Sequence, residues 1–177
     1  MKRWAALSVL TVFLTAVGTV LGQSVSWTQY LFVARNVFPQ ADEICVLLPQ
    51  DKVDGQKEAL SRAASHFRFK VKLYLFSDAL DIGRNLKMIP EKSVLIVSNS
   101  PLTEEKSTML YILSQAKEKE ISIISASQNY VDSGALIGLV KENGRLRVVV
   151  NLKFSQQMAG IFTPEFNRKI GIIKVIQ

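Results

Sequence analysis

The chain has 177 residues, of which 48% are hydrophobic, 21% charged and one is cysteine. Its 22 Lys and Arg outnumber 15 Asp and Glu. The basic residues are dispersed among acidic neighbours, which excludes a nucleic-acid patch and leaves a solvated surface weakly attractive to anions. A lone cysteine excludes an intramolecular disulfide.

Met1-Lys2-Arg3 is followed by an uncharged run from Trp4 to Gly22. A basic start, an apolar stretch and small residues at Val20 and Gly22 match a secretory signal peptide over 1–22, with Gln23 as the mature terminus. No Cys follows, which argues against lipidation. An uncleaved anchor helix is the alternative, since the run is just long enough to span a bilayer. Either reading places residues 23–177 across a membrane, in the periplasm or otherwise exported. That part has 155 residues and a basic excess of five, the size of one domain with one core.

Trp27 to Phe38 carries Trp27, Leu31, Ala34 and Phe38 at helical spacing, an amphipathic lead-in helix closed by Pro39. Ile44 to Leu48 reads as a first strand, in which Cys45 is a buried hydrophobe with no basic neighbour to activate it. Val53 to Phe67 reads as a helix with Leu60, Ala63, Ala64 and Phe67 on one face. Phe69 to Phe76 alternates apolar and basic residues before turning fully apolar, a strand with one end near solvent. Ser77 caps a predicted short helix from Asp78 to Leu86. Val94 to Val97 is a buried strand, and Leu102 to Lys119 the longest helix. Ile121 to Ser125 is the next strand. This alternation predicts right-handed crossovers and a doubly wound, mostly parallel α/β sheet.

Ser127 to Gly134 reads as a polar loop. Ala135 to Val140 and Arg145 to Val150 then flank Asn143-Gly144, the turn pair of an antiparallel hairpin because both residues tolerate positive φ. Lys153 to Ala159 is expected to be helical, and Thr163-Pro164-Glu165 to start a terminal helix. Ile170 to Ile176 is an apolar tail suited to a last short strand.

Catalytic signatures are absent from this pattern. His66 is the sole histidine and has no Cys or carboxylate at ligand spacing, so a structural or solvent-exposed role is expected for it. There is no GxSxG, CxxC, HExxH or GxxxxGK[ST]. Asp78 and Asp81 fit a helix start. No catalytic residue, metal ligand or cofactor is therefore expected. Binding fits better, because ligands of open α/β sheets collect beyond the carboxyl ends of the strands. Those ends carry Gln50 and Asp51 after the first strand, Ser98, Asn99 and Ser100 after the third, and Ser127, Gln128 and Asn129 after the fourth. Such hydrogen-bonding residues without a base form a recognition rim, although each is also an ordinary turn or cap residue.

Ser125 to Ala159 resembles the C-terminal signature of the YfiR family of periplasmic proteins, with Gly134, Gly138, Asn143, Gly144, Arg145, Arg147, Asn151 and Leu152 at the corresponding places. Tyr30 to Pro39 and Ile44 to Leu47 are similar to the family's lead-in helix and first strand. The resemblance implies a non-enzymatic regulator that restrains a membrane signalling protein, a diguanylate cyclase, through protein contacts. Pro39 to Ile176 also looks like one lobe of the tryptophan-type ABC solute-binding proteins, on Asn151-Leu152-Lys153, Thr163-Pro164 and Lys174-Val175-Ile176. That likeness implies binding of a small solute such as an amino acid. Those proteins clamp ligand between two lobes, so a one-lobed relative would bind weakly, form a homodimer or serve another task. A regulator should expose an apolar patch away from the strand ends. A solute binder should show a pocket lined by Ser98, Asn99, Ser127 and Asn129.

Overall fold

A computed structural model describes residues 25–142, 145–153 and 155–176. The 1–22 segment and the Asn143-Gly144 turn lie outside them. Helix α1 (Trp27–Val37) starts in a capping box, in which the Ser26 hydroxyl accepts from the Gln29 N–H and the Gln29 side chain accepts from the Ser26 N–H. Its stripe of Trp27, Tyr30, Leu31, Ala34 and Val37 is buried, as helical spacing requires. Strand β1 (Glu43–Pro49) is buried from Ile44 onward. Helix α2 (Val53–Phe67), strand β2 (Lys70–Phe76), helix α3 (Ala79–Met88) and strand β3 (Val94–Val97) follow.

The predicted long helix is broken into α4 (Pro101–Glu104) and α5 (Lys106–Glu118) by Glu105, whose ψ of 129° is extended. Strand β4 (Ser122–Ser125) leads into α6 (Gln128–Ser133), where the sequence reading expected a loop. Gly134 closes α6 at φ 128°, a conformation that favours glycine. Strands β5 (Ile137–Glu142) and β6 (Arg145–Asn151) are followed by a helical segment near the expected place, a 3-10 helix over Gln156–Ile161. Helix α7 (Pro164–Ile170), capped by Thr163, and strand β7 (Ile172–Ile176) complete the chain. The cap of α3 is also corrected: Asp78 accepts from the Asp81 N–H, while the Ser77 N–H donates to Asp81 Oδ2.

The seven strands form one sheet in the order β2-β1-β3-β4-β5-β6-β7. The first five run parallel, β6 is antiparallel to β5, and β7 is parallel to β6. The hairpin strands are thus paired as expected, and the apolar tail adds the last short strand. Period-two geometry sorts β1 between two apolar layers. Ile44, Val46 and Leu48 join α1, α2 and the hairpin, whereas Cys45 and Leu47 join α3, α5 and α6. Edge strand β2 exposes Lys70 and Lys72, charges that discourage pairing with another chain.

Three of the helix-to-strand turns repeat one device. Arg68, Lys92 and Glu120, each just before a parallel strand, adopt positive φ of 57°, 57° and 54°. Gly138 answers a different need: a Cβ there would overlap the Val131 side chain, so glycine lets α6 lie directly on β5.

Candidate functional site

The chain passes from β1 to β2 on one side and then crosses to β3 on the other, so the connections leaving β1 and β3 diverge. This topological switch opens a crevice beyond the carboxyl ends of those strands. Its volume is about 310 Å³. From the turn after β1 it receives Gln50, Asp51 and Lys52, from the end of β2 Phe76 and Ser77, and from the start of α4 Ser100, Pro101 and Leu102. Gln50–Lys52 forms a 3-10 turn. Lys52 Nζ donates to the Asn99 carbonyl at 3.0 Å, tying the β1 and β3 loops across the switch point.

Ser100 is engaged locally. Its hydroxyl accepts from the Thr103 N–H at 3.1 Å, and its N–H donates to Thr103 Oγ1 at 2.9 Å. This capping box, with Pro101 in the first helical turn, fixes α4 at the crevice wall. The Thr103 hydroxyl also lies 3.0 Å from the Ser98 carbonyl, as its donor. The serines thus shape the crevice chiefly by holding its backbone.

Beside the crevice, at the ends of β3 and β4, lies a second polar cluster. The Ser127 hydroxyl donates to Glu104 Oε2 at 2.8 Å. The other carboxylate oxygen, Glu104 Oε1, is buried and has no hydrogen-bond partner among the described residues. The fully buried Ser125 hydroxyl accepts from the Ser127 N–H at 3.2 Å and reaches Asn99 Oδ1 at 3.4 Å. Two buried phenols flank this carboxylate. Burial, reinforced by the Glu104 charge, pushes Tyr30 and Tyr130 well above the usual tyrosine value. The Tyr130 hydroxyl donates to the Thr103 carbonyl at 2.9 Å, so it too secures α4.

The eight predicted rim residues therefore divide. Gln50, Asp51 and Ser100 line the crevice. Asn99 and Ser127 join the network beside it, and Ser98 is buried at the start of the β3 loop. Gln128 and Asn129 stand apart as exposed residues of α6, Gln128 donating to Asp132 at 2.8 Å. Ser98, Asn99, Ser127 and Asn129 line neither the crevice nor the larger cavity described below; α6 begins immediately after Ser127, and its first residues, Gln128 and Asn129, are exposed. Sequence reasoning missed Lys52, Ser77, Leu102 and Glu104. Lys52 directly follows Asp51 and Leu102 lies two residues after Ser100, whereas Glu104 falls inside the predicted long helix.

Among the described residues no group of His, Cys, Asp and Glu could hold a metal ion. His66 is exposed on α2 with its ring edge on Phe67, and Cys45 is buried, its thiol pushed up by that burial. No helix among the described residues is long and apolar enough to cross a membrane.

No protein-family model matches the chain, and neither does any curated protein sequence. Solved structures do match its fold. A conserved domain protein of Vibrio cholerae is 18% identical with a TM-score of 0.70 over 86% of this chain and 61% of that one. The ABC domain of Streptococcus pneumoniae in complex with L-Trp is 17% identical, with a TM-score of 0.69 over 84% and 60%. The ligand-free, open structure of a substrate-binding protein with adhesive properties from Clostridium difficile is 21% identical, with a TM-score of 0.65 over 86% and 60%. The chain shares its fold with these three structures and spans about three fifths of the length of each.

Proposed function

We propose that this chain is a non-enzymatic solute-binding domain of the ABC-transporter type, receiving a small zwitterion such as an amino acid at the β1/β3 crevice. The observation that carries the reading is the crevice itself: a concavity at the switch point that pairs the Asp51 carboxylate and the Gln50 amide with an apolar lining of Phe76 and Leu102. Asp51 suits an ammonium group, and the backbone N–H groups of the Gln50–Lys52 turn suit a carboxylate. The fold shared with an L-Trp-bound domain and a substrate-binding protein supports the same class. Nothing in the crevice supplies a general base of the histidine kind.

Export completes the proposal: residues 1–22 are removed as a signal peptide and residues 23–177 act in the periplasm or an equivalent compartment. Intact-mass analysis of protein recovered outside the cytoplasm tests it, a mass beginning at Gln23 being the expected result. For the ligand, a thermal-shift panel of amino acids and nucleotides is decisive. One or more amino acids should raise the melting temperature, by about 2.7 kcal/mol of stabilisation at a hundredfold excess over Kd. A flat response across the panel would overturn the reading.

A second reading is favoured by one observation. Leu80 and Met88 on α3 are 70% and 66% exposed, and Leu110 and Tyr111 on the adjoining α5 are 46% and 41% exposed. This apolar face, whose residues do not line the crevice, suits restraint of a membrane signalling protein such as a diguanylate cyclase, as in YfiR-like regulators, or a homodimer. Recovery of a membrane receptor on the immobilised protein, lost in Leu80→Ser/Met88→Ser, would favour it over solute binding.

A further inference from the structure

A larger cavity, about 490 Å³, lies at the opposite end of the sheet from the crevice. Its origin is topological. Strand β5 pairs with β4 only at Ile124 and Ser125, so Ser122 and Ile123 have a neighbour in β3 but none on the β5 side. The crossover that should cover this gap is α6, which has six residues against thirteen in α5. At 1.5 Å per residue it is about 10 Å shorter than α5. The space left open has Ile123 and Leu136 at its base and the Leu110–Lys117 side of α5 as its wall.

Its lining is amphiphilic. Leu113, Ile123 and Leu136 are buried hydrophobics, while the rim carries Lys92, Lys117 and Glu120, an excess of one positive charge, with the Ser114 and Ser155 hydroxyls beside them. Lys92 forms no ion pair among the described residues. The volume falls within the range of small-ligand sites, about 300–1,000 Å³.

We propose that this cavity is a second binding site, separate from the strand-end crevice, for a small amphiphilic anion: an apolar body seated on Leu113, Ile123 and Leu136, and a carboxylate or sulfonate at the rim facing Lys92. The inference stands on the gap beside β4 and holds whether or not the crevice binds a zwitterion.

The test is a fluorescence titration with 8-anilinonaphthalene-1-sulfonate, an aromatic sulfonate, followed by displacement with octanoate. Saturation at one dye per chain and competitive release by octanoate are expected. Lys92→Glu, at an exposed position, should weaken dye binding about tenfold through charge reversal. Ser114→Trp should abolish it by filling the cavity from the exposed side of α5. Gln50→Ala, in the crevice, should leave it unchanged. Unaltered affinity in both Lys92→Glu and Ser114→Trp would overturn the proposal, as would loss of binding in Leu80→Ser/Met88→Ser, which would place the dye on the exposed α3–α5 face. Failure of octanoate to displace the dye would overturn the ligand class.

Discussion

Arg35 ties α1 to the α1–β1 connection and to the carboxyl end of α2, and its removal has a calculable cost. Its Nε and Nη2 donate to the Phe67 carbonyl at 3.0 and 2.8 Å, and Nη2 also reaches the Arg68 carbonyl at 2.9 Å. Nη1 donates to the Pro39 and Ala41 carbonyls at 3.1 and 2.9 Å. The guanidinium carbon lies 3.7 Å from the centroid of the Phe69 ring. One side chain thus closes the carboxyl end of α2, where a cation complements the helix dipole, and anchors the α1–β1 connection to it. Hydrogen bonds from a charged donor contribute about 1.5–3 kcal/mol net, and a cation over an aromatic face about 0.5–2 kcal/mol. The site is only half-buried and water can replace some of the bonds, so Arg35→Ala should cost about 2–4 kcal/mol. For a chain of this size that lowers Tm by roughly 5–15 °C. Arg35→Lys should recover less than half, because an ammonium cannot serve the fork and stack on Phe69 together. Urea unfolding of the three proteins measures this. A change below about 0.5 kcal/mol in Arg35→Ala would refute the reasoning.

High pH should expose the buried phenols. Tyr30 and Tyr130 keep their protons in the folded state above the ordinary value of 10.0, at which the unfolded chain releases them. The unfolded state then binds fewer protons, so their contribution is intact below pH 10 and lost as pH rises, at about 1.4 kcal/mol per pH unit for each phenol. Tyr30→Phe should halve that part of the slope in denaturation series between pH 10 and 11, and an unchanged slope would contradict the assignment. Gly138→Ala should destabilise by about 1–3 kcal/mol through overlap with Val131. Adding Val131→Ala should relieve that overlap, so a double-mutant cycle without coupling would show that the close approach does not matter. Among the described residues, Ser127→Ala removes the one hydrogen bond to the Glu104 carboxylate and should cost about 1–3 kcal/mol, largely restored by adding Glu104→Leu. Equal losses in the single and double variants would count against a buried, unsatisfied carboxylate.

Much of this architecture is legible in the sequence because two periodicities write it there. The all-apolar run Ile44 to Leu48 has the length and composition of a strand covered on both faces, and Leu60, Ala63 and Ala64 mark one helix stripe. The misreadings have local causes. Nothing in Thr103-Glu104-Glu105-Lys106 breaks helical propensity; the break at Glu105 is tertiary, with the Thr103 carbonyl taken by Tyr130 and Glu104 turned toward Ser127. Ser127 to Ser133 is polar enough to read as a loop, yet Tyr130 and Val131 are buried beneath the sheet's top edge and pull it into a helix. The site was half legible: the switch point follows from strand order, which marks Gln50, Asp51 and Ser100, but not from any motif. Whether a rim serine faces ligand or caps a helix is decided by partners distant in sequence, as Glu104 is for Ser127. The larger cavity beside β4 was not legible at all, since it depends on the difference in length between two helices and on a two-residue strand pairing.

The central claim is that the β1/β3 crevice receives a small zwitterion, and amide chemical-shift mapping tests it most directly. The spectrum of the protein is compared with and without whichever amino acid gives the largest thermal shift. The account predicts saturable perturbations concentrated on Gln50 to Lys52, Ser77, Ser100 and Leu102, with Asp51→Asn weakening the affinity by about tenfold, as expected for loss of one charge-assisted contact. Perturbations confined to the Leu80, Met88 and Tyr111 face, or none under saturating amino acid, would contradict it.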